Sequence, residues 1–251
     1  MKENKYLYPI LPFDSKEILA LRERCQKTRK HEEVLSWFIL RRFSIYITYM
    51  LAKTRVTPNH VSWCSVLLFF ATGILVAVAT PWSFLVAVVA YYLAYLCDCI
   101  DGELARLKNV TSKRGVFLDT LIRAMSIPIV TGVGLALVKQ TLFLSINTLE
   151  SIIIYVTSAL ATLALLVPLS FHFSIVNNIE EDPVSKMRTA SKRNEWIAFF
   201  TGLPGFFTIL PLAMLLQYLT TFTVAALFLG GFLLIFLIKT LIRLYVTYQN
   251  I

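Results

Sequence analysis

Long apolar runs alternate with short polar breaks along the chain, and that pattern predicts helices that cross a bilayer. The runs cover roughly 59–80, 82–107, 113–138, 148–176, 196–218 and 221–246. A bilayer core about 30 Å thick needs ~20 apolar residues of helix to span it. A membrane barrel would show strict alternation of apolar and polar residues instead. The expected fold class is therefore all-α: a polytopic membrane protein with about six transmembrane helices. Residues 31–54 read differently, because Arg41-Arg42 interrupts an otherwise apolar stretch. A charged pair is costly in mid-bilayer, so this segment is expected to lie along the cytoplasmic interface, anchored by Trp37, Tyr46 and Tyr49. A seventh span is the alternative, and it would reverse the N-terminus. Residues 1–30 form a polar lead with no apolar core of a signal peptide, so no cleaved signal is expected. The division is then a lead over 1–30, an interfacial helix over 31–54 and a six-helix domain over 55–251.

Local signals refine these elements. Thr57-Pro58-Asn59-His60 reads as a helix start, since Thr caps and proline suits the first turn. Gly202, Pro204, Gly205 and Pro211 predict a kinked fifth run. Gly132, Gly134, Gly230 and Gly231 suit close helix packing or a homodimer. The polar 180–195 stretch reads as a solvated connector. No internal repeat is evident.

Composition agrees with the pattern. The chain of 251 residues is 57% hydrophobic, against about 45–50% in soluble domains. The net charge of +9 is unevenly placed: residues 1–58 hold 12 of the 24 Lys and Arg. Lys108, Lys113, Arg114, Lys186, Arg188, Lys192, Arg193, Lys239 and Arg243 fall on the same side if six helices span. The opposite turns carry only Lys139. The positive-inside rule then puts both termini and the 107–114 turn in the cytoplasm, facing anionic lipid. A nucleic-acid partner is disfavoured, because the basic residues flank spans and form no soluble basic domain. Cys25, Cys64, Cys97 and Cys99 lack a zinc spacing and read as free thiols. The sequon at Asn109-Val110-Thr111 lies on the cytoplasmic side and is discounted.

Against this background the stretch Asp98–Arg123 stands out. Asp98, Asp101, Gly102 and Ala105 share one helix face, and Gly115, Asp119 and Arg123 share another. Small residues beside carboxylates let a bulky group approach the backbone. At 1.5 Å per residue, Asp101 and Asp119 each lie roughly 10 Å in from the 107–114 turn, with Asp98 and Arg123 ~15 Å in. Three acids converging on a pocket open to the cytoplasm call for a cation. Oxygen donors alone select a hard ion, Mg²⁺ or else Mn²⁺ or Ca²⁺, which commonly bridges carboxylates to substrate phosphates. A structural ion-pair cluster is the bland reading, and a small transporter with an acidic site is another.

The spacing D-x2-D-G-x2-A-R-x8-G-x3-D resembles the signature of the CDP-alcohol phosphotransferase family, matched at every fixed position from Asp98 to Asp119. The likeness extends more loosely over about 31–248. Its interfacial part looks most like bacterial and archaeal members such as di-myo-inositol phosphate phosphate synthases. The resemblance implies a membrane transferase that moves a phosphoalcohol or phosphatidyl group from a CDP-linked alcohol or CDP-diacylglycerol to an alcohol acceptor, releasing CMP. It implies metal ligation by Asp98, Asp101 and Asp119. It further implies a CDP site at Asp98, Asp101, Gly102, Ala105, Arg106 and Gly115. The signature ends in a further Asp that acts as general base, and here Arg123 stands in its place. Arg neither takes a proton at neutral pH nor ligates a metal. An Arg123–Asp98 pair, at most one bound ion and impaired or lost turnover are therefore expected. The alternative is a non-catalytic relative that binds a CDP-alcohol or lipid, or that scaffolds an active paralogue. Glu103 points about 200° away from Asp101 and is no substitute base, and His60 and His172 read as structural. Arg41, Arg42, Arg55, Lys113 and Arg114 are candidates for an acceptor or headgroup phosphate, or plain positive-inside anchors.

Overall fold

The computed structural model describes residues 8–29, 33–110, 112–141, 147–176, 191–220 and 223–249, and no strand occurs among them. The expectations placed on Thr111, Lys186, Arg188 and most of the 180–195 connector fall outside the described residues.

In chain order the helices are α1 (Lys16–Cys25), α2 (Arg41–Ala52), α3 (Pro58–Val78), α4 (Pro81–Leu107), α5 (Lys113–Ala124), α6 (Ser126–Thr141), α7 (Thr148–Val176), α8 (Lys192–Phe200), α9 (Leu203–Leu219) and α10 (Val224–Gln249). A π-helical turn, Ser36–Leu40, runs directly into α2. The starts follow the sequence signals. Thr57 and His60 form a reciprocal cap around Pro58, and Thr80 and Ser83 do the same around Pro81. Ser112 accepts from the Gly115 backbone at 3.0 Å to open α5. Each cap satisfies amide groups that a helix start otherwise leaves without partners. Where α3 ends, Ala79 adopts a left-handed φ of 57°. Lys139, the one cation expected on the far side, donates to the neighbouring Val78 carbonyl at 2.9 Å.

Among the described residues, four helical stretches are long and apolar enough to cross a membrane: Pro58–Val78, Pro81–Leu107, Lys113–Gln140 and Val224–Ile242. α5 and α6 thus act as one span. α8 and α9 make a fifth if taken together, bent by 54°. The bend falls between Phe200 and Leu203, where Gly202 sits, and not at Pro211, which lies inside α9. α7 covers the remaining expected run, and its Thr148–Leu160 part meets only the criterion for a shorter apolar helix.

One apolar core joins these helices. It contains Val66 and Phe69 of α3, Phe84 and Tyr91 of α4, Ile129 and Val133 of α6, Phe206 and Leu210 of α9, and Leu229 of α10. α3 and α6 approach at Gly73 and Gly132, where a Cβ on Gly132 would lie 2.8 Å from the Gly73 carbonyl oxygen. Tyr155 of α7 covers Gly73, and its hydroxyl donates to the Phe70 carbonyl at 3.3 Å. Gly132 therefore serves close packing within the chain. Gly134 and Gly231 have nothing within 4 Å of a built Cβ, and Gly230 meets only Leu137.

The N-terminal part forms a polar strap across one end of α4. Its outer face carries Phe38, Ile39, Phe43, Ile47 and Met50, all exposed. The expected anchors point elsewhere. Trp37 is buried, Tyr46 donates to Asp14, and Tyr49 donates to Glu17 at 3.3 Å. These aromatics tie α2 and the π turn to α1 and its approach, because α1 supplies the acids that their hydroxyls need when half-buried.

Candidate active site

The last turns of α4 carry acids on two faces. On one, Asp98 and Asp101 are half-buried, and Asp101 accepts from the Ser62 hydroxyl of α3 at 2.5 Å. No hydrogen-bond partner meets the Asp98 carboxylate among the described residues. Asp98 lies within electrostatic reach of Asp101, Asp119, Arg41 and Arg123. Asp98 and Asp101 thus share one face of α4, with Ser62 of α3 set against Asp101. Gly115 sits near Asn59, whose Oδ1 would lie 3.6 Å from a Cβ built there. Ala105 is half-buried on the same helix.

Asp119 is exposed and paired with Arg123 at 2.8 Å, one turn along α5. The expected Arg123–Asp98 pair is not formed. Residues four apart on a helix meet without reorganising anything else, whereas reaching Asp98 would carry a guanidinium into a less solvated place. Arg123 keeps 77% of its side chain exposed, so the pair is easily opened.

The metal question turns on this pair. Among the described residues, no three acidic, His or Cys side chains converge closely enough to hold a metal ion. Asp98 and Asp101 share a face, and Asp119 is held by Arg123 instead of turning toward them. The donors are all carboxylate oxygen, which fits a hard divalent cation.

The other face of α4 carries a carboxylate that sequence reasoning set aside. Glu103 is fully buried, and its Oε1 accepts from Gln26 Nε2 at 2.8 Å, Arg41 Nη1 at 3.0 Å and Ser44 Oγ at 2.6 Å. Its Oε2 accepts from Thr48 Oγ1 at 2.7 Å. Arg41 is thereby corrected: it is buried against Glu103 and the Cys99 carbonyl and cannot meet an acceptor phosphate. The two residues lie 62 positions apart, and no local sequence pattern pairs them. Arg106 turns toward the same strap, with its Nε donating to the Cys25 carbonyl and its Nη1 3.4 Å from a Cβ built on Gly102. Burial, with the Glu103 charge added, pushes the Cys25 thiol up to about 12.

Of the remaining basic candidates, Arg55, Lys113 and Arg114 are exposed and Arg42 is half-buried. Arg114 lines an open cleft of about 410 Å³ with Thr57, Asn59, His60, Trp63, Phe117 and Leu118. His60 therefore has two roles, capping α3 through Nδ1 at 3.4 Å and facing this cleft.

Comparison with known proteins decides the lineage. The model of the CDP-alcohol phosphatidyltransferase family matches residues 55–236. The chain belongs to this family. The family is membrane-integral and typically uses a divalent metal. Over 82 residues the chain is also 37% identical to the bifunctional IPC transferase and DIPP synthase of Thermococcus kodakarensis. That match spans 33% of this chain and 18% of the relative. The family match covers α3 to α9 and part of α10, and leaves the strap outside it.

Proposed function

We propose that the chain is a CDP-alcohol phosphotransferase-type protein that grips a CDP-linked alcohol or CDP-diacylglycerol at the outer acid face of α4, and that Arg123 severely lowers or abolishes transfer. The observation that carries this reading is the Asp119–Arg123 pair at the end of an otherwise complete signature. In the full reaction an acceptor hydroxyl attacks the β-phosphorus, the bond from that phosphorus to the CMP oxygen breaks, and CMP departs.

Asp98, Asp101 and Asp119 would hold the divalent ion, Mg²⁺ or else Mn²⁺ or Ca²⁺, which neutralises diphosphate charge when bound. Gly102, Ala105 and Gly115 leave space for the donor beside those acids, and Arg106 borders it over Gly102. Ser62 holds Asp101 in place. A general base contributes about 10²–10⁴-fold in rate, and Arg123 supplies none. Its charge also competes with an ion for Asp119, so at most one ion binds. The cleft at Arg114 and His60 is the place for an acceptor or headgroup phosphate. Both termini and the acid face are cytoplasmic, in keeping with the charge asymmetry and the anionic lipid that it attracts. A homodimer is the assembly of this reading, with Gly134 and Gly231 open for approach.

The same pair favours a second reading, a non-catalytic binder or a scaffold for an active paralogue. CMP release and metal stoichiometry of the native chain and Arg123→Asp separate the two. The proposal expects CDP binding with one ion and little CMP release in the native chain, and at least ~100-fold faster release in Arg123→Asp. Full CMP release by the native chain with two ions bound would overturn the role given to Arg123.

A further inference from the structure

Glu103 is a buried carboxylate with four donors, and the reaction proposed above makes no use of it. All four donors come from one continuous piece of chain: Gln26 at the end of α1, and Arg41, Ser44 and Thr48 of α2. The donors are themselves braced. Gln26 and Arg22 both donate to the Arg41 carbonyl, at 2.7 and 2.9 Å, and Arg22 also donates to the Arg42 carbonyl at 3.0 Å. Arg22 is fully buried and paired with Asp14 at 2.9 Å. The strap therefore docks on α4 as a unit, with Glu103 taking four of its hydrogen bonds beside the bonds from Arg41 to the Cys99 carbonyl, from Arg106 to the Cys25 carbonyl and from Tyr95 to Glu33. Arg106 lies one turn beyond Gly102 and donates to the last carbonyl of that same α1. Its guanidinium rests against the Gly102 position. A shift of α1 against α4 would move this guanidinium over the residue where a donor approaches the backbone.

We infer that Glu103 is a positioning residue: by locking the strap onto α4 it fixes Arg106 over Gly102 and so shapes the donor site. This rests on the donor-binding reading above. Supporting groups around a ligand-binding residue commonly change affinity by 10–100-fold when removed, because geometry held loosely binds poorly. Ser44, Thr48 and Arg41 leave Glu103 no open position for a ligand of its own, so its influence on the site passes through the strap.

The test uses the full chain in lipid nanodiscs, with CDP and Mg²⁺ as probes. Alkylation of Cys25, resolved by peptide mass spectrometry, reports strap docking independently, because the thiol is fully buried when docked. Glu103→Gln keeps the shape but loses the charge and the acceptor for Thr48. It should raise Cys25 alkylation at least fivefold and weaken Mg²⁺-dependent CDP binding about tenfold. Arg106→Lys should weaken CDP binding similarly while Cys25 stays protected. Thr48→Val removes one donor only and should shift both readouts in the Glu103→Gln direction by about twofold, which covers a Glu103→Gln chain that does not fold. Unchanged CDP affinity in Arg106→Lys, or in a Glu103→Gln chain with exposed Cys25, overturns the positioning role alone. No CDP binding by the native chain overturns the donor-binding reading and this inference with it.

Discussion

Two carboxylate sites lie back to back on the final turns of α4, and they are built on opposite principles. Glu103 is fully buried and saturated: four donors fill its oxygens and Arg41 balances its charge. Among the described residues, Asp101 accepts from the Ser62 hydroxyl and the Gly102 backbone, Asp98 has no such partner, and the two acids repel each other. A buried charge is tolerated when paired and hydrogen-bonded. Asp101 and Glu103 are two positions apart, yet the turn of the helix puts one against Ser62 of α3 and the other against the strap. The Asp119–Arg123 pair lies between these extremes, satisfied but solvent-exposed and breakable.

This contrast is broken most severely if both sites respond alike to mutation. Asp101→Asn should lower divalent-dependent CDP binding by at least about 10–100-fold, the cost of losing even an outer-shell partner of a metal, while leaving thermal unfolding in nanodiscs unchanged or slightly improved. Equilibrium dialysis and a melting curve measure both. Glu103→Leu should do the reverse in stability. It strands Arg41 in a buried place and costs about 3–5 kcal/mol, read as loss of folded protein in denaturant. If Asp101→Asn unfolds the chain and Glu103→Leu does not, the assignment of the two faces is wrong.

A smaller effect tests the frame that holds α4. Gly132→Ala places a methyl against the Gly73 carbonyl and should destabilise by about 1–3 kcal/mol. Gly134→Ala, with open space around it, should be neutral or slightly stabilising. The melting temperatures of the two variants make the comparison.

The smallest effect concerns the strap alone. Burial by itself would raise the Asp14 carboxyl, but hydrogen bonds from Arg22, Tyr46 and the Leu11 amide outweigh it and hold it below its usual value of 3.8. Asp14 therefore contributes stability above that value, and the contribution fades as pH falls through the lowered folded value. Pepsin cleavage within the strap of the native chain should rise as pH drops below about 4, and cleavage by a neutral protease should return to its starting level after neutralisation. Asp14→Asn should show higher Cys25 alkylation at pH 6 and no further acid dependence from this pair.

The bilayer pattern was legible because a run of ~20 apolar residues has few alternatives, and the start at Thr57 followed from local chemistry. The bend was legible in kind but not in place: glycine and proline mark where a helix is weak, and neighbouring packing chose Gly202 over Pro211. At the site, the shared face of Asp98 and Asp101 followed from helical spacing. The Asp119–Arg123 pair was missed because depth alone put Arg123 level with Asp98, while side-chain reach along one helix decided the partner. Arg41 was read as a surface cation because its partner, Glu103, lies 62 residues away. Pairing over that distance is set by tertiary docking, and no local pattern shows it.

The central claim is that the outer acid face of α4 binds a CDP group through a divalent ion. Calorimetric titration of CDP into the native chain, with Mg²⁺ and after chelation, tests it most directly. The account predicts saturable binding with Mg²⁺, one ion per chain, and at least 100-fold weaker binding after chelation. CDP binding that is unchanged by chelation and by Asp98→Asn would contradict it.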